Sequence, residues 1–233
     1  MRLLLSLALV LTLVTGCATA AIQRKDGSRS ERPWRPHDLA KSEVDLICEL
    51  TQREVLAGLK LLTEKLYRRN PQEYRKAGLA SVEAATERVF EHTRTGPDGP
   101  LARIDWRHGI TLALSEGYAG DRVHLFMQSL TAMILAAYEY KTEFYFTDQL
   151  DAQKLYNSAR NLEVAVWKLS NARLPDGRLV LLTNSMEGGV QNLSFEREFG
   201  KLIARQDLIA LIVADRGNRT INRVVHGLVF LPL

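Results

Sequence analysis

Apolar residues recur every three or four positions over two long stretches, and this period constrains the fold more than any other feature of the chain. The first stripe is Val44, Cys48, Thr51, Val55, Leu59, Leu62 and Leu66; the second is Leu155, Ala159, Leu162, Val166 and Leu169. Such spacing puts one side chain per turn on a single helix face, so each stripe needs another surface to bury it. Between them, Val123 to Tyr138 is apolar nearly all round, the pattern of a helix enclosed on every side. Ser129, Ala132, Ala136 and Ala137 leave room there for close helix contact, so this segment is expected at the centre. Its sixteen residues fall short of the ~20 that cross a bilayer.

Punctuation residues set the expected boundaries. Asp38 suits the N-cap of a helix from Leu39 to Arg69, stopped at Asn70-Pro71, and Pro71 suits the first turn of a new short helix. Gly78 interrupts, Ser81 to His92 reads as a helix, and Thr95 to Pro100 is a turn-rich loop. Ile104 to Ser115 is expected helical, Glu116 to Gly120 breaks the chain, and Asp121 caps the central helix. Thr147 is the expected cap of a helix reaching Ala172, followed by a turn at Leu174 to Gly177 and a strand candidate at Arg178 to Thr183. Gly188-Gly189 marks a loop, and Ser194 suits the cap of a helix stopping at Gly217. In the tail, Ile221, Val224, Val225 and Leu228 have helical spacing, while Leu228-Val229-Phe230 reads equally as extended. The expected class is mainly α: a single helical domain of about six to eight helices, with room for one short β-hairpin.

The N-terminus has a different order. Arg2 precedes an uncharged apolar run, Leu3 to Val14, and Val14-Thr15-Gly16-Cys17 follows at once, as in a secretory signal. This segment resembles the lipobox of bacterial lipoproteins. The resemblance implies cleavage between Gly16 and Cys17, a diacylglycerol thioether on Cys17 and an acyl chain, such as palmitate, on its new amino group. Two or three chains on one cysteine hold durably, since each buried methylene contributes about 0.8 kcal/mol. Ala18, where inner-membrane lipoproteins resemble one another in having Asp, implies the outer membrane. The expected organisation is a signal peptide at 1–16, a flexible basic tether at 17–38, and a helical periplasmic domain at 39–233.

Charge placement excludes a nucleic-acid binder. Between Ala18 and Arg35 five basic residues face Asp26 and Glu31, whereas Pro36 onward carries 25 basic and 25 acidic residues, so the domain is neutral. The excess positive charge lies in the tether, where it either favours an anionic membrane surface or keeps a solvated linker extended. With Cys17 acylated, Cys48 has no partner for a disulfide, and its place on the first stripe makes it a small core hydrophobe.

No motif specifies a cofactor or metal. His37, His92, His108, His124 and His226 are scattered; Asp105, His108 and His124 are the one trio that could meet across a fold. There is no Walker loop, Gly117 with Gly120 lacks the third glycine of a dinucleotide fingerprint, and GxSxG is absent. Ser115-Glu116-Gly117 and Leu125-Phe126-Met127-Gln128 are similar to motifs of lytic transglycosylases, although the serine precedes Glu116 and Phe126 replaces leucine. That resemblance implies Glu116 as a general acid in a peptidoglycan hydrolase. Finally, five of the seventeen aromatics fall between Tyr138 and Phe146, in an alternation that suits a strand as well as a helix. Tyr138, Tyr140, Phe144 and Phe146 are therefore candidates for a ligand pocket or partner patch, or for a packed corner between long helices. The leading expectation is a membrane-anchored envelope lipoprotein that binds or scaffolds a protein partner without catalysis. A peptidoglycan hydrolase and a carrier of an apolar ligand are the alternatives.

Overall fold

Ser42, not Asp38, begins the first long helix, α1 (Glu43–Arg69). Ser42 Oγ accepts from the Asp45 N–H at 3.2 Å and the Asp45 carboxylate accepts from the Ser42 N–H at 2.7 Å, so two helix-end donors are satisfied reciprocally. Asp38 instead serves a 3-10 turn, Pro36–Ala40, where it accepts from the Arg35 N–H at 2.9 Å. The computed structural model describes residues 22–23, 27, 29–30, 35–183 and 193–216. Cys17, the lipobox, the Gly188-Gly189 loop and the tail from Gly217 lie outside the described residues. The chain divides into two units, Met1–Leu39 and Ala40–Leu233. In the first, β1 (Ile22–Gln23) and β2 (Arg29–Ser30) pair antiparallel, a two-residue ladder within the segment expected to be an unstructured tether.

In the second unit the helices continue as α2 (Pro71–Lys76), α3 (Val82–Phe90), α4 (Trp106–Ala113), α5 (Arg122–Ala137), α6 (Ala152–Asn171) and α7 (Ser194–Ala214). The chain is thus mainly α, with seven α-helices among the described residues. Pro71 opens α2, Ser81 caps α3, and Asp121 Oδ1 caps α5 by accepting from the His124 N–H at 2.9 Å. The α5 helix is the hub: α1, α2, α3, α4 and α6 all pack on it, and Phe126, Met127, Leu130 and Ile134 are fully buried. Antiparallel to α1, α7 lies between α1 and α6. Gly58 allows that approach, since a Cβ there would meet Leu202 Cδ2 at 2.5 Å.

Other assignments also differ from expectation. Thr147 does not cap α6; Asp151 does, accepting from the Gln153 N–H at 2.8 Å, because residues 138–150 are spent on a loop. Leu193 precedes α7 where Ser194 was expected as cap, and Ser194 is its first residue. Arg178 to Thr183 forms only an isolated bridge, Arg173↔Leu179, closed by Gly177 at φ 82. Beyond it, Thr183 and Leu182 pass their carbonyls to Arg69 and Asn70 of the α1 end, which fixes this segment without a strand partner.

The aromatic stretch forms neither helix nor strand. Glu139 and Tyr140 adopt φ values of 55 and 57, a left-handed pair that ends α5 and breaks the alternation. Polar groups of α1 and of the loop itself replace a ladder. Glu49 Oε1 accepts from the Phe144 N–H at 3.0 Å, Gln52 Nε2 donates to the Lys141 carbonyl at 2.7 Å, and Asp148 Oδ2 accepts from the Tyr145 N–H at 2.9 Å. Gln52, rather than Thr51, is the buried residue at this level of α1.

Candidate functional site

The α4 helix is short, and three local devices hold it in place. Asp105 Oδ1 caps it, accepting from the Arg107 and His108 N–H groups at 3.1 Å. Gly109 lets it sit against α5, where a Cβ would lie 2.1 Å from Ser129 Oγ. At its far end Arg122, buried on α5, reaches back to the chain leaving α4. Nη1 donates to the carbonyls of Ala113 at 2.9 Å and Ser115 at 2.6 Å, and Nη2 to that of Glu116 at 3.2 Å, satisfying the acceptors a helix end leaves open. The α6 helix is held by its buried stripe and by an ion pair from Arg160 to Asp207 of α7 at 2.6 Å.

Although α4 and α6 both pack on α5, they make no more than marginal contact with one another. A groove runs between them. Ile110 and Ala165, both buried, form its floor; Trp106, Val164 and Trp167 stand along it, Val164 at 53% exposure and Trp167 at 65%. One part encloses about 220 Å³ and a second about 390 Å³, and they share Thr111 and Lys168. Arg107 and Lys168 are the ionised residues among those lining it, and the Arg107 guanidinium lies 4.3 Å from the centroid of the Trp106 ring. Apolar walls with a few convergent polar groups are the usual make-up of a recognition site.

The aromatic candidates disperse. Tyr138 and Phe144 are buried with ring centroids 6.0 Å apart, Tyr140 packs with Leu101, Ala132 and Leu135, and Phe146 is 66% exposed. Tyr138 Oη donates to Gln206 Oε1 and Gln206 Nε2 donates to Ser158 Oγ, both at 2.8 Å, so its hydroxyl is spent within the core. Cys48 is buried beside Asp45, and burial pushes its thiol up to about 12, which keeps it protonated and inert.

Nor do the other chemistry-bearing candidates assemble. Asp105 is used as a cap, His108 is exposed, and His124 is half-buried on α5. Among the described residues no three His, Cys, Asp or Glu side chains are placed to hold a metal ion. Glu116 is exposed in the turn after α4, whereas a carboxyl kept protonated as a general acid needs apolar surroundings. Among the described residues no helix is long and apolar enough to cross a membrane.

Sequence reasoning passed over the groove because it followed the stripe from Leu155 to Leu169 and assigned no role to Trp106, Val164 or Trp167. A signal was present: Val164 and Trp167 stand three apart on α6, off its buried stripe. Comparison with protein families, curated proteins and solved structures returns no match for this chain.

Proposed function

We propose that this chain is a lipoprotein tethered through Cys17 to the bacterial outer membrane, and that its helical domain binds an envelope protein partner in the periplasm without catalysis. The observation that carries the reading is the groove between α4 and α6. Val164 and Trp167 are kept in water on a rigid helix, above a floor already closed by Ile110 and Ala165. Tryptophans held in this way dominate the energetics of protein interfaces, because docking removes a large rigid apolar surface from water at little entropic cost. A lipid anchor fits such a role, since confinement to a membrane raises the local concentration of both partners. The neutral charge of the chain from Pro36 onward suits recognition by shape and apolar contact.

The test is recovery of partners from detergent-solubilised envelopes with the wild-type chain, Trp167→Ala, and Leu211→Ala as a control on the exposed face of α7. The reading expects a co-purifying protein that falls at least about tenfold with Trp167→Ala and persists with Leu211→Ala. Equal recovery with all three chains, or none with any, contradicts it.

A further inference from the structure

We infer that the segment seated in the groove is an amphipathic helix of the partner protein whose apolar edge is flanked by carboxylates. This rests on the reading of the groove as a docking surface. Its shape sets the first term. Trp106, Ile110 and Leu114 follow one another at intervals of four along the α4 side, Ile110 at the floor, spanning about 12 Å at helical rise. Val164 and Trp167 face them from α6. A channel of this length between two helices takes about two turns of a third, with apolar residues at i, i+4 and i+7 directed to the floor. Such a helix would lie over Ile110 and Ala165 and cover the exposed sides of Val164 and Trp167. A bilayer, being flat, would wet Trp167 and Val164 but would not reach Ile110 and Ala165 below them.

Charge sets the second term. Arg107 and Lys168 stand at the groove, and no Asp or Glu is among the described residues lining it. Arg107 is already positioned by the Trp106 ring beneath its guanidinium. Carboxylates flanking the incoming apolar edge would pair with both cations, while a lysine-rich helix of the same apolar pattern would be repelled.

The experiment places a benzophenone amino acid at Val164 of the full chain in its native membrane and, as a control, at Lys201 on the exposed face of α7. The peptide joined to the chain by light is then sequenced. The expected product at position 164 is a segment of another protein with apolar residues every three or four positions and about twice as many acidic as basic residues. Its yield falls at least about tenfold with Arg107→Glu plus Lys168→Glu and is kept with Arg107→Lys. A neutral or basic protein segment overturns this inference and leaves the docking reading standing. Adducts to lipid alone, to residues 184–192 or 217–233 of the chain itself, or to nothing overturn both.

Discussion

Tyr138 Oη donates to Gln206 Oε1 at 2.8 Å, joining the end of α5 to the middle of α7 inside the core. Neither group is exposed. Removing one partner strands the other, so Tyr138→Phe is expected to lower the unfolding free energy by about 1–3 kcal/mol. Urea titration measures it. An unchanged midpoint for Tyr138→Phe would show that the bond contributes nothing.

Arg122 is the tie between α4 and α5. Arg122→Met keeps much of the stem but removes the donors to the carbonyls of Ala113, Ser115 and Glu116. The expected cost is about 2–3 kcal/mol, since bonds from a charged donor are the stronger kind. Hydrogen exchange should quicken first in residues 106–117, and uniform quickening along the chain would contradict a local role.

His124 makes stability depend on pH. Burial, then the Arg88 guanidinium, holds its imidazole below the ordinary value, against a weaker opposing pull from Asp121. Nδ1 has no hydrogen-bond partner among the described residues. A depressed histidine binds fewer protons folded than unfolded, so its contribution is complete above the unfolded pKa of about 6.5 and is lost as pH falls below it. The wild-type urea midpoint should therefore drop more between pH 7.5 and pH 5 than that of His124→Gln, and parallel curves would contradict the assignment.

The helices were legible in the sequence where one residue decided the matter. Pro71 suited the opening of a helix, Asp121 the cap of one, and the stripe from Val44 to Leu66 had a single face to bury. The stretch from Tyr138 to Phe146 was not legible, because its conformation is set by side chains distant in sequence: Glu49 and Gln52 take its backbone groups, and Gln206 takes the Tyr138 hydroxyl. Asp38 and Thr147 were plausible caps displaced by Ser42 and Asp151, whose carboxylate or hydroxyl geometry depends on where the preceding loop ends. The groove is a gap between α4 and α6, and a gap has no pattern of its own in a sequence.

The proposed acylation at Cys17 has a direct readout. Cys17→Ser should move the chain from the membrane to the soluble fraction, and the N-terminal peptide of the native chain should carry the mass of a diacylglycerol and an acyl chain. A variant that stays with the membrane at unchanged mass would refute the anchor.

Oxidative footprinting of Trp167 on the native membrane reads occupancy of the groove most directly. Trp167 and Leu211 are similarly exposed in the isolated chain, at 65% and 69%, so each serves as the other's reference. If the groove is a docking surface, hydroxyl-radical labelling of Trp167 relative to Leu211 falls at least about tenfold from the purified chain to the membrane-bound one. An unchanged ratio would mean that nothing sits between α4 and α6.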